Sequence, residues 1–322
     1  MDKRKALYLG AALAVLLAVL YFFYPLLDGI VLGIVFAYVA KPAKKKMEKR
    51  IGNSKASLLA TLLIIAPIVV ILLLGLLEGT SQAIVLVQNM DGLMERFYEY
   101  LSALNPRLEE FFASGLSWAT DATRSFLQSL PVLEYATGVV MLALNGFIAV
   151  FSCYYFLVDG KRLSDALRQK LSERAFHMLE ASSERISGVF VGSFYFSIFM
   201  ALVSIPFLIY FDIPFWAIAA GLMFLAALIP VFAEWMIIVA LSLYVLLIGG
   251  AMPFIAFLII GMVFFYFLPE FLLRPFLVGG YSNIHPLLLF LAFIGGGLAF
   301  GISGFFLAPM AVCVATVLWE EW

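Results

Sequence analysis

Ionisable side chains are scarce in this sequence, and a few stand inside apolar stretches where they can do chemistry that lipid cannot. Glu234 follows Ile229-Pro230-Val231-Phe232-Ala233 at the junction of two apolar blocks. Glu270 and Arg274 flank Pro269 and Pro275 at the end of the next block but one. A carboxyl so placed can exchange a proton or hold a cation, and Arg274 can pair with an anionic group or with Glu270. The prolines matter because a broken helix frees carbonyls and amides that can bind a solute or ion. Four residues apart, Glu270 and Arg274 share a face of any helix that continues through them. A structural ion pair or an interfacial anchor explains the same residues, and both readings stand. Asp28 and Glu78 fall near the ends of apolar runs and read as solvated helix ends.

A glycine cluster, Gly295, Gly296, Gly297, Gly301 and Gly304, interrupts the last apolar block. It either lets helices pack closely or lines a pathway, and the two roles are compatible. Gly301-Ile302-Ser303-Gly304 also matches the Gly-x-Ser-Gly of rhomboid intramembrane proteases. There, however, the base is a histidine from a later helix, and both His177 and His285 precede Ser303. Without a base Ser303 is a poor nucleophile, so no enzyme is expected. His285, just before Pro286, reads as a helix-start residue. Cys153 and Cys313 lie in apolar runs and read as small buried hydrophobes, with no disulfide framework and no metal spacing. Phosphate-binding glycine loops are absent, so no cofactor and no ATP-driven step are expected.

The elements that must position these groups are set by the solvent. Hydrophobic residues make up 64% of the 322 and charged ones 13%, with mean hydropathy +1.06. A water-soluble chain of that length cannot hide so much apolar surface. Continuous rather than alternating apolar runs exclude a membrane barrel, leaving an all-α, polytopic helical membrane protein. About eight transmembrane helices are expected, together with short or re-entrant segments broken at Pro and Gly.

Charge orients them. Lys3, Arg4 and Lys5 precede the first run, and Lys41, Lys44, Lys45, Lys46, Lys49, Arg50 and Lys55 crowd the gap after the second. Lys161, Arg162, Arg168, Lys170, Arg174 and Arg185 fill a later gap, whereas residues 80–135 are predominantly acidic. The positive-inside rule puts the N-terminus and both basic gaps in the cytoplasm. A net charge of −1 offers nucleic acid no general attraction.

Three regions follow. Residues 1–79 hold the N-terminal transmembrane helices (about 6–24, 26–40 and 57–78, the last kinked at Pro67) with a basic cytoplasmic loop at 41–55. Residues 80–135 form an extracytoplasmic insert. Its Met90, Met94, Phe97, Leu101, Leu104, Leu108 and Phe111 make one helical stripe, interrupted at Asn105-Pro106, that packs on the protein itself or on a neighbouring protomer. Residues 136–322 form the C-terminal transmembrane region. It opens with a helix at 136–158 capped by Asp159-Gly160, followed by a cytoplasmic amphipathic helix at 159–186 lying against membrane lipid headgroups. A tight turn at Asp212-Ile213-Pro214 separates later apolar runs, and the block at 285–319 suits a hairpin or re-entrant pair.

Several motifs together resemble the autoinducer-2 exporter (AI-2E) family of permeases. They are Tyr155-Phe156-Leu157-Val158-Asp159-Gly160, Gly188 with Gly192, and Leu228-Ile229-Pro230. A C-terminal series adds Arg274-Pro275, His285-Pro286, Gly295-Gly296-Gly297, Gly301 with Gly304, and Ala308-Pro309. Ala233-Glu234, Pro269-Glu270 and Ser193 depart from the family pattern, as in a divergent, archaeal-type branch. The resemblance implies a secondary transporter or exporter of a small polar solute, or a monovalent cation/proton antiporter, working as a homo-oligomer in the cell membrane. The expected route joins Pro230, Glu234, Glu270, Arg274, Pro275, Gly295, Gly296, Gly297, Gly301, Ser303 and Gly304. A membrane scaffold that binds partners without transporting is the alternative.

Overall fold

The computed structural model describes residues 21–88, 90–104, 132–228, 234–273 and 284–320, which contain helices and turns but no strand. A single 3-10 turn, Tyr24–Leu26, with Pro25 at its start, leads into α1 (Leu27–Ile51). There follow α2 (Asn53–Gln88), α3 (Met90–Leu104), α4 (Val132–Lys170), α5 (Glu173–Tyr210), α6 (Trp216–Leu228) and α7 (Glu234–Gly249). Next, α8 (Ala251–Met262) widens into π-helical turns at Val263–Phe267 and Pro269–Leu273, and α9 is Pro286–Glu320. Among the described residues six helices are long and apolar enough to cross a membrane, and α6 and α7 are shorter apolar helices. The chain is thus a polytopic helical membrane protein. Leu58, Leu59, Leu62 and Leu63 of α2 stand exposed, which is costly in water and neutral in hydrocarbon.

Two compact units divide the chain. The first contains residues 1–63, 137–179 and 291–322, the second 64–136 and 180–290. In the first, α1 lies against α4 almost backbone to backbone. A Cβ on Gly29 would come 2.5 Å from the Asn145 carbonyl oxygen, and one on Gly33 would meet Ser152 and Ala149. Such small-residue contacts are how helices associate tightly where lipid supplies no hydrophobic drive. In the second unit Phe207 packs on Phe257 and Phe265 at ring-centroid distances of 4.8 and 5.0 Å. There α3 also rests on the end of α7, the Arg96 guanidinium donating to the Leu247 carbonyl at 3.0 Å. Over this stretch α3 therefore touches one of the protein's own helices through Arg96, which lies off the apolar stripe. The stripe's expected interruption at Asn105-Pro106, and nearly all of the helix expected at 6–24, lie outside the described residues.

Two expectations about helix ends need correction. Residues 41–51 are not loop: α1 runs through Pro42 to Ile51, and Gly52 alone separates it from α2. Gly52 adopts φ 81°, a left-handed conformation open to glycine, so a single residue turns the chain. Nor does Gly160 cap a helix, because α4 continues unbroken to Lys170. One internal glycine costs a helix only about 1 kcal/mol, too little to stop it when Lys161, Arg162, Leu163 and Ala166 follow. The turn at Asp212-Ile213 forms as expected, with Asp212 at φ 52°.

The last block is a hairpin. Phe300 (φ −138°, ψ 19°) and Gly301 (φ 62°, ψ −141°) leave helical geometry, dividing α9 into arms at 286–299 and 302–320. The arms fold back on each other. Gly296 meets the Gly304 carbonyl, and a Cβ added at Gly296 would come 2.6 Å from the Ala308 methyl. The Phe293 and Phe305 rings pack across the pair in a tilted arrangement, 4.8 Å between centroids. By contrast, a Cβ at Gly295 meets nothing within 4 Å. Gly304→Val should therefore destabilise the protein by about 1–3 kcal/mol through overpacking, whereas Gly295→Ala should be neutral or slightly stabilising. Thermal unfolding of the purified protein in detergent checks both; equal melting of the two variants would refute the close crossing.

Candidate functional site

A helix that begins at Ile302 leaves its first amide groups without intrahelical acceptors. In lipid no water replaces them. The structure supplies Asp28, from the first turn of α1, whose Oδ1 accepts the Ser303 N–H at 2.8 Å. Ser303 is 4% exposed, and its hydroxyl donates to the Phe300 carbonyl at 3.0 Å, closing the turn around Gly301. That hydroxyl serves the backbone in this arrangement, as a cap does.

Asp28 is itself held. Next to it in sequence, the Gly29 N–H donates to Asn145 Oδ1 at 2.8 Å, and Asn145 Nδ2 donates to the carbonyls of Pro25 (3.0 Å) and Met141 (3.1 Å). Asn145 is buried, and every polar atom of its amide is used. One polar junction thus ties together the start of α1, the middle of α4 and the break in α9.

Its depth follows from helix rise. Lys44 Nζ donates to the Leu157 carbonyl at 2.7 Å and Asn53 Nδ2 to the Val158 carbonyl at 3.1 Å. That level coincides with the switch from apolar to polar sequence at Asp159 in α4. At 1.5 Å per residue, Asp28 lies about 24 Å from it along α1 and Asn145 about 18 Å along α4. Hydrocarbon is about 30 Å thick, so the junction sits inside the slab. Asp28 is half-buried, and beyond its place in the first turn of α1 it spends Oδ1 on the break in α9.

The glycines have separate tasks. Gly301 makes the break, Gly296 and Gly304 make the crossing, and a Cβ added at Gly297 would come 3.5 Å from Phe305 Cδ2, an ordinary contact. Glu234 and Glu270 belong to the second unit. Glu234 is 2% exposed and stands in the first turn of α7, where the positive end of the helix dipole favours a carboxylate. Glu270 is half-buried in the π-helical turn Pro269–Leu273. Pro230, Arg274 and Pro275 lie outside the described residues. His285 accepts the Leu287 N–H on Nδ1 at 3.2 Å, the helix-start role its position suggested. Reasoning from sequence missed Asn145 and set Asp28 aside. Both carried a signal, since Asp28 is the one charge between Lys5 and Lys41 and Asn145 the one amide in the apolar run 137–158.

The pattern shared by AI-2E family transporters matches residues 11–322. The chain belongs to the AI-2E transporter family. A relative from Archaeoglobus fulgidus, named provisionally as a transport protein, is 43% identical and covers 99% of this chain and 95% of its own length. Similarly named relatives from Methanocaldococcus jannaschii (25%; 94% of this chain, 92% of the relative) and Methanothermobacter thermautotrophicus (28%; 87% and 84%) align over most of both lengths. In this AI-2E protein, Asp28→Asn keeps an acceptor for the Ser303 N–H and should leave stability nearly unchanged. Asp28→Ala strands that donor and should cost about 0.5–2 kcal/mol, as loss of a helix cap does. Asn145→Ala strands the Gly29 N–H as well and should cost about 1–3 kcal/mol. Melting temperatures in detergent rank the three; an Asp28→Ala protein as stable as Asp28→Asn would contradict the cap.

Proposed function

We propose that this membrane transporter is a secondary carrier that moves a small polar solute of the autoinducer-2 kind, or a monovalent cation in exchange for protons. The observation that supports this most is the polar junction of Asp28, Asn145 and Ser303 at a helix break inside the apolar slab. A broken hairpin with an acid at its cap is how carriers place backbone dipoles and a charge within the membrane, where solute and ion must be held. Nothing in simple anchoring calls for a charge at that depth.

Glu234 is the second element of the proposal, as the coupling group. A buried carboxyl near a helix start can alternate between a protonated form and one that holds a cation, which links proton movement to solute movement. The basic segments set the orientation, with the N-terminus, the α1–α2 corner and the end of α4 in the cytoplasm. Homo-oligomeric assembly accompanies this reading, as in the family.

Proteoliposomes test it directly. With a pH dye inside and a Na⁺ or K⁺ gradient imposed, or with autoinducer-2 as solute, the wild-type protein should move protons or solute without ATP. Glu234→Gln should abolish the pH dependence of that flux, and Asp28→Asn should lower the rate although the fold is kept. Unchanged flux and pH dependence in Glu234→Gln would remove Glu234 from the mechanism. A folded wild-type protein silent toward every candidate would favour a scaffold instead. For orientation, a cysteine placed at Asp165 in a Cys153→Ala, Cys313→Ala background should resist a membrane-impermeant maleimide in intact cells and react once they are opened.

A further inference from the structure

The cytoplasmic corner between α1 and α2 carries a feature that transport does not require. Lys45, Lys46, Lys49 and Arg50 fall on one face of α1, at intervals of about one turn, and all four are exposed. With Pro42 they line a cleft of about 560 Å³. The nearby acid, Glu48, is engaged elsewhere, at 3.7 Å from Lys44. Among the described residues none of the four cations forms an ion pair.

The cleft is held at one depth. Lys44 and Asn53 bracket it and are fastened to the Leu157 and Val158 carbonyls, the point where α4 passes from apolar residues to Asp159, Lys161 and Arg162. Immediately beyond Gly52, Leu58, Leu59, Leu62 and Leu63 face outward from α2 as a hydrocarbon-facing surface. An exposed cationic cleft on α1 and a run of exposed leucines on α2 thus lie on either side of the Gly52 turn, next to the point where α4 passes from apolar to polar sequence.

We propose that this cleft binds the phosphate headgroup of an anionic phospholipid whose acyl chains run along the exposed leucines of α2. Phosphate supplies the charge that the four side chains lack, and their aliphatic stems reach toward the membrane while the heads stay polar. A neutral zwitterionic lipid offers no such net charge. The proposal stands independently of which solute is carried, because it concerns a surface remote from the polar junction and is read by lipid binding alone.

Purified full-length protein, delipidated in detergent, is titrated in parallel with the anionic lipid POPG and the zwitterionic lipid POPC, and retained lipid is counted by native mass spectrometry. The wild type should favour POPG by about tenfold. The variant Lys45→Gln, Lys46→Gln, Lys49→Gln, Arg50→Gln should bind both lipids nearly equally, while Lys45→Arg, Lys46→Arg, Lys49→Arg should keep the preference. Elution volume and melting temperature verify folding of each, and Lys45→Gln with Lys49→Gln, giving a partial loss, serves if the quadruple variant does not fold. Undiminished POPG preference in a folded neutralised variant overturns the proposal. So does displacement of POPG by millimolar inorganic phosphate, which would mark a site for free anions.

Discussion

Hydrocarbon offers a broken helix no water, so every amide that a break releases must find a partner within the protein. That constraint organises the first compact unit. The hairpin in α9 can exist because Asp28 accepts the Ser303 N–H and Ser303 satisfies the Phe300 carbonyl. The start of α1 is secured in turn because Asn145 satisfies both the Gly29 N–H and the Pro25 carbonyl. Two interruptions of regular structure, the start of α1 and the break in α9, share a handful of side-chain atoms, and removing any one leaves a polar group stranded.

Close packing and charge placement are coupled here through small residues. Gly29 and Gly33 bring α1 within backbone contact of α4, and that proximity lets the short Asn145 amide span the gap. Larger residues at those positions would separate the helices, moving Asn145 out of hydrogen-bond range. The same economy operates in α9, where Gly296 and Gly304 draw the arms together so that the second arm starts beside Asp28. Packing therefore comes before polar chemistry in the physical order of causes: the backbones must approach before the side chains can reach.

Much of this was legible in sequence. Hydropathy and charge identified a helical membrane protein, and the glycines at 295–304 pointed to a hairpin because no single helix of that length suits a bilayer. The cap by Asp28 was not legible. Its partner lies 275 residues away, and hydropathy places a residue along a run without saying how deep the run begins. The helix expected before Pro25 made Asp28 look like an end. In the structure its Oδ1 serves a helix break far along the chain as well. Gly160 misled for the opposite reason, since composition marks where a helix could stop while the following residues decide whether it does. The basic gap misled likewise: a cluster of Lys residues reads as loop, yet Lys is a good helix former. Glu234 was legible as an acid in apolar surroundings, and its burial at a helix start agrees with that reading.

The crossing of Gly296 with Gly304 also constrains the length of the tip. Residue 304 reaches residue 296 only because seven residues intervene and the chain reverses at Phe300–Gly301. Adding or deleting one residue in that tip rotates the second arm by about 100° relative to the first, since a helix turns once in 3.6 residues. A side chain with a Cβ would then be driven into the crossing, and a different amide would point at Asp28. Lineages of this protein can thus vary many side chains around the tip far more easily than they can change its residue count.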